Sequence, residues 1–247
     1  MCGRYAQTAD MRELMEQFEV TGTSPQSSLP LNWNIAPTNP IYIVRANDRS
    51  GKDVSSEKAL ATVSWGLIGP WLTDLQEARA SQSRAINARS ESIHEKPTFR
   101  NAFRSTRCLI PASGYYEWAT ALGQYRPKQP FYISARDGMA LPIAGIWSSW
   151  TAPNGEVIET ASIITQEAQG ELETIHSRMP VFMPPDRWDL WLNPRNTDVN
   201  ELKSLMVVEH PESIVIARPV SDAVNSVANN GKELTVETPL GEPETLF

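Results

Sequence analysis

Cys108-Leu109-Ile110-Pro111-Ala112-Ser113-Gly114-Tyr115-Tyr116-Glu117-Trp118 is an apolar, core-like run that ends on an acid and an indole. Its opening, Cys108–Ile110, has the short apolar character of a strand. Runs of the same kind recur on both sides of it: Ile41–Val44, Ala61–Trp65, Phe131–Ser134, Pro142–Trp147, Ala161–Thr165 and Ser213–Ala217. Helical spacing is rarer. Met11, Leu14, Met15 and Phe18 fall at i, i+3, i+4 and i+7, which predicts an amphipathic first helix with Thr8 as its N-cap. Further helical signals cover Pro97–Ser105, Asp186–Leu192 and Val199–Met206. Strands dominate, helices are appended, and neither βαβ alternation nor repeats appear. The pattern predicts an α+β single domain built on a curved, mostly antiparallel sheet or barrel. The polar stretch Ala46–Lys58 reads as a hairpin tip or surface insertion. The domain is expected to span residues 1–236, with 237–247 an acidic, disordered tail.

The chain has 247 residues, 40% of them apolar and 21% charged, which is the profile of an ordinary globular protein with a sizeable core. No stretch approaches the ~20 apolar residues of a membrane span, and the N-terminus lacks a signal-peptide layout. A cytoplasmic protein without membrane partners is expected. Two cysteines imply no disulfide framework, and the Cys and His residues lack paired zinc spacing, so no metal and no cofactor is expected. The net charge of −7 argues against coating nucleic acid by bulk attraction. Locally the balance reverses: Arg84, Arg89, Lys96, Arg100, Arg104 and Arg107 face only Glu91 and Glu95. That segment is either a solvated helix face or a phosphate track.

The start, Met1-Cys2-Gly3-Arg4-Tyr5, bears the most chemistry. With Met1 removed, Cys2 presents an α-amine and a thiol two carbons apart. An α-amine titrates near pH 8 and lysine near 10.4, so at pH 7 roughly 10% of the former is the neutral nucleophile against ~0.04% of the latter. Such an amine condenses with an aldehyde to a Schiff base. The thiol then closes on the imine carbon to give a thiazolidine, helped by the high effective concentration of an intramolecular step. The plainer reading of Cys2 alone is a small residue that follows Met1.

Other polar residues sit in apolar contexts. Glu117 is either a proton-transfer group, its pKa raised by burial, or a carboxylate paired with an arginine. His176, one of three histidines, is a structural residue or an active-site edge beside Arg178. Asn87 is an orienting amide or a turn residue. Of the eight tryptophans most belong to the core, but indoles near Arg4, Arg89 and Arg178 suit stacking on bases beside phosphate-binding guanidiniums.

Taken together these segments resemble the SOS-response-associated peptidase (SRAP) family of abasic-site-processing proteins. The resemblance runs from Met1 to about Val236. It rests on MCGRY at the start, NIAPT at 34–38, WGLI at 65–68, INARSE at 86–91, RCLIPASGYYEW at 107–118, AGIW at 144–147 and IHSRMP at 175–180. It departs after Ile68, where Gly69-Pro70 replaces the usual immediate proline, and at the Ala46–Lys58 insertion. The resemblance implies a Cys2 thiazolidine crosslink to an abasic site in single-stranded DNA, or at a single–double-strand junction, with removal of Met1 by the protein itself. It casts Cys2, Asn87, Glu117 and His176 as catalytic. Asn87 would position the cysteine and sugar, Glu117 would assist ring opening and Schiff-base proton transfers, and His176 would act as acid or base. Arg4, Arg89 and Arg178 match phosphate contacts, and Trp65, Trp118, Pro37 and Thr165 match residues lining the DNA path. The expected protein is monomeric and nucleoid-associated when on DNA.

Two readings from other classes compete. Glutamine amidotransferases also begin Met-Cys-Gly and use the processed cysteine as nucleophile, but their further glycine-rich and His/Arg motifs are not found here. A non-catalytic reader of modified DNA would use the same tryptophans and arginines in a reversible, salt-sensitive way. The chain ends in Leu246-Phe247, which fits either a frayed terminus or an anchor docking on a replication sliding clamp.

Overall fold

The computed structural model describes residues 2–47, 57–120, 125 and 128–240. In chain order the elements are strand β1 (Arg4–Gln7), helix α1 (Met11–Gln17), β2 (Asn32–Ile35), β3 (Pro40–Ala46), β4 (Lys58–Trp65), α2 (Leu75–Arg84) and β5 (Asn87–Arg89). There follow α3 (Arg100–Ser105), β6 (Arg107–Ala112), β7 (Gly114–Trp118), β8 (Pro130–Ala135), β9 (Leu141–Thr151), β10 (Val157–Glu167), β11 (Arg178–Pro180), α4 (Trp188–Leu192), α5 (Val199–Leu205) and β12 (Val215–Pro219).

Five strands close into a barrel in the order β10-β4-β3-β6-β9, the ring being completed by pairing of β9 with β10. Side chains alternate between the two faces of each strand, so a continuous apolar run serves two cores: Ile41 and Ile43 enter one, Tyr42 and Val44 the other. The expected α+β single domain is the observed one. Among the described residues the named strands pair antiparallel except β10 with β4 and with β5. A second sheet, β12-β8-β7-β1-β2, lies against the barrel. The Cys108–Trp118 stretch joins the two: β6 belongs to the barrel and β7 to the second sheet, with Ser113 between them. The Ser113 amide donates to the Ala6 carbonyl at 2.8 Å, which pins this corner to β1. Gly114 is required there, because a Cβ would lie 2.4 Å from the Tyr132 ring and 2.7 Å from the Ile133 carbonyl.

One core joins barrel and sheet, with Cys2, Tyr5, Trp65, Cys108, Tyr115 and Ile163 among its members. Another joins the barrel to the helices through Leu14, Phe18, Trp188 and Trp191. Burying a side chain such as Leu14 or Phe18 stabilises by about 2–3 kcal/mol. Asp10, not Thr8, caps α1: its carboxylate accepts from the Glu13 amide at 2.8 Å, and Glu13 returns a bond to the Asp10 amide at 2.7 Å. Thr8 is taken up by Ser113 instead, through both its amide and its hydroxyl. Ala46 pairs with Lys58 across a hairpin, whose tip at 48–56 lies outside the described residues.

The basic segment divides. Arg107 is buried, and it donates to the carbonyls of Trp191, Phe103, Asn193 and Asn196. It therefore ties down the loop after α4 and is no part of a phosphate track. Past β12 the chain crosses the outer face of the second sheet, burying Val224 and Leu234, and Thr238 still donates to the Pro219 carbonyl. Leu246 and Phe247 lie outside the described residues. Among the described residues no helix is long and apolar enough to cross a membrane.

Candidate active site around Cys2

Cys2 precedes β1 by two residues, so the pairing of that strand sets its place. Tyr5 is opposite Tyr115 of β7 on one side and Ile35 of β2 on the other. The whole Cys2 side chain is buried between barrel and sheet. Burial first, and then the negative charge of Glu117, push its thiol well above the ordinary range, so the sulfur carries its proton at neutral pH.

Asn87 opens β5, the short strand laid parallel on β10 in register with Ile163. Its side-chain amide donates to the Cys2 carbonyl at 2.7 Å. Its Oδ1 is buried without a hydrogen-bond partner among the described residues. Trp65 holds this strand from behind, its indole N–H donating to the Ile86 carbonyl at 3.0 Å. Gly66 makes the tight exit behind Trp65: its φ is +111°, and a Cβ would meet the Gln82 carbonyl at 2.2 Å.

Glu117 and Tyr115 alternate onto the barrel-facing side of β7. Glu117 is only 2% exposed, and burial pushes its carboxyl up to about 7. Three residues on, the Thr120 amide donates to the Ile175 carbonyl at 2.9 Å, which brings the end of β7 to the loop carrying His176. His176 accepts from the Arg178 amide through Nδ1 at 3.0 Å, so its neutral ring carries the proton on Nε2. Burial lowers its pKa and favours that neutral form. The sequence-predicted Cys2, Asn87 and Glu117 thus meet at one end of the barrel, with His176 on the adjoining loop.

The remaining predicted residues divide by exposure. Thr165 is fully buried, in register with Arg89 of β5 on one side and Pro180 of β11 on the other. Arg89 is exposed. Arg178 donates to both Glu91 oxygens, at 2.7 and 3.0 Å, and to the Thr165 carbonyl at 2.7 Å. Pro37 is half-buried on the turn after β2, clipped by the Thr38 amide donating to the Trp65 carbonyl. Trp118 is half-buried, its indole N–H held by Asn225 Oδ1 at 2.7 Å.

Three assignments change in the free chain. Thr165 has no exposed surface, so it supports the wall from behind and does not line the path of a strand. Trp65 is completely buried, edge-on to Tyr5 with centroids 5.2 Å apart, so it supports the floor of the site and offers no face to a base. Arg4 turns to the other face of its sheet and donates to Asn34 Oδ1 at 2.8 Å and the Val224 carbonyl at 3.0 Å, so its guanidinium is engaged by the protein. Sequence reasoning missed Tyr5 and Tyr115 as walls of the site, although two-residue alternation with Glu117 marks Tyr115. It also counted Glu91 only as a charge.

Comparison with known proteins identifies the family. The family profile described as SOS response associated peptidase (SRAP) matches residues 1–227. The abasic site processing protein YoqW of Bacillus subtilis is 35% identical, over 95% of this chain and 98% of its own length. The abasic site processing protein HMCES of Gallus gallus is 29% identical, over 84% of this chain and 66% of its own. A crystal structure of a Bacteroides thetaiotaomicron protein superposes with a TM-score of 0.81 at 24% identity, covering 96% of this chain and all of that one, which bears on the fold alone. By the family profile and its relatives, the chain belongs to the SOS response associated peptidase (SRAP) family.

Proposed function

We propose that this protein processes abasic sites in single-stranded DNA by capturing the sugar aldehyde on Cys2 once Met1 has been released. In this reading the peptidase of the family name is the step that frees the Cys2 amine. The relatives named as abasic site processing proteins support the substrate. The observation that supports the chemistry best is the grouping at Cys2: Asn87 holds its carbonyl, and a carboxyl that titrates near neutrality is near enough for its charge to act on the thiol.

The abasic deoxyribose opens to its aldehyde. The Cys2 amine adds to the carbonyl carbon, and water leaves as the C=N bond forms. Glu117 in its protonated form supplies the proton that the departing oxygen needs. The thiol then adds across the imine, forming the S–C bond while its proton passes to nitrogen. The burial that keeps the thiol protonated orders these steps, because the neutral amine is the readier first nucleophile and the sulfur acts only when its proton has an acceptor. One water is lost and the phosphodiester is left intact, so the strand is protected from scission. Arg89 and Arg178 take the flanking phosphates, with Trp118 and Pro37 along the path of the strand.

An abasic oligonucleotide mixed with the protein should give an SDS-resistant band that Cys2→Ala abolishes. A band of equal yield from that variant contradicts the assignment.

A further inference from the structure

Arg178 and Glu91 face each other fork to fork, Nη1 on Oε1 at 2.7 Å and Nη2 on Oε2 at 3.0 Å. The arginine side chain is set into the wall at 12% exposure, while the carboxylate stands toward solvent at 47%. Glu91 follows β5 by two residues, so Arg89 on that strand is its second cationic neighbour. Partial burial works the other way, yet Arg178 and the Arg89 charge hold the Glu91 carboxyl below its ordinary range. A single carboxylate therefore answers the two guanidiniums assigned above to phosphate. Carboxylate and phosphate present the same paired oxygens to an arginine fork.

We propose that Glu91 is a specificity-determining residue, occupying the phosphate position on Arg178 in the free protein and yielding it when a strand enters. The inference rests on the reading of Arg178 as a phosphate contact. Binding at this point is then an exchange of anions and adds little affinity for undamaged strands. A strand that carries an aldehyde is retained by the covalent bond, so the weak electrostatic grip favours damaged over intact DNA. The displaced carboxylate has somewhere to turn. Glu91 also lines a cavity of about 590 Å³ with Lys203, Ser204, Gln166 and Glu167.

The test is equilibrium binding of the full-length protein to an undamaged single-stranded oligonucleotide, followed by fluorescence anisotropy across a salt series. Glu91→Gln keeps the shape and removes the charge. It should bind roughly threefold to tenfold tighter near 0.1 M salt. The slope of log affinity against log salt should steepen by about 0.7, the equivalent of one more phosphate neutralised. Arg178→Ala is measured beside it and should weaken binding. If Arg178→Ala weakens binding while Glu91→Gln leaves it unchanged or weaker, or tightens it without the change in slope, the exchange is overturned and the phosphate contact stands. Should Arg178→Ala leave affinity untouched, the phosphate contact itself is wrong and the inference goes with it.

Discussion

The Asn87 amide lies 2.7 Å from the Cys2 carbonyl, and this one bond ties the start of the chain to a strand 85 residues away. It sets where the first residue of the processed chain would point, with the Asn87 Oδ1 still available inside the site.

Asn87→Ala should slow adduct formation about tenfold, the loss of one buried hydrogen bond of roughly 1.4 kcal/mol from the positioned state. Single-turnover gel assays with saturating protein check this, and global stability should fall by about 1–2 kcal/mol, which leaves the variant folded for the assay. An undiminished rate would remove Asn87 from the positioning of Cys2.

Cys2→Ser keeps the amine and weakens the second nucleophile. The imine, trapped by borohydride, should form at near the parental rate, while the closed ring fails and strand cleavage rises. Parental yields of a heat-stable adduct from Cys2→Ser would show that sulfur is not the closing group.

Glu117 carries a pH signature. Its carboxyl titrates at about 7 in the fold, against about 4.3 in an unfolded chain. Between those values the folded state keeps a proton that the unfolded state releases, so stability falls as pH rises through that window and levels off above it. The loss amounts to about 4 kcal/mol. Glu117→Gln should therefore be more stable than the parent in urea at pH 8 and indistinguishable from it near pH 4. Its capture rate should lose the inflection near neutrality. Equal urea midpoints at pH 8 would show that the carboxyl is not strained by burial.

Arg107→Leu leaves four backbone carbonyls without their donor. A loss of about 3 kcal/mol or more is expected, with affinity for single-stranded DNA unchanged under conditions where the variant is folded. Weakened DNA binding by the folded variant would return Arg107 to the phosphate track.

The long barrel strands were legible because they form short runs, apolar or nearly so and bounded by polar residues, as in Ile41–Val44 and Ala161–Thr165, both buried at every position. The three-residue strands β5 and β11 were not, since so short a run shows no period, and both owe their place to β10. Helix α2 buries only Ala78 and Gln82, which leaves no apolar stripe to read. Barrel closure is a matter of which strands pair, and no local pattern near Val157 or Trp147 expresses that. Around the site the motifs located Cys2, Asn87 and Glu117, but motif position says nothing about facing. Trp65 and Arg4 therefore needed coordinates to show that one is sealed beneath the site and the other is held on the opposite face of its sheet.

Intact-mass measurement of the purified protein, before and after mixing with an abasic oligonucleotide, tests the central claim most directly. The predicted result is a polypeptide lacking Met1 that gains the mass of the strand less one water. A chain that keeps Met1 and still forms the adduct in full yield would contradict it.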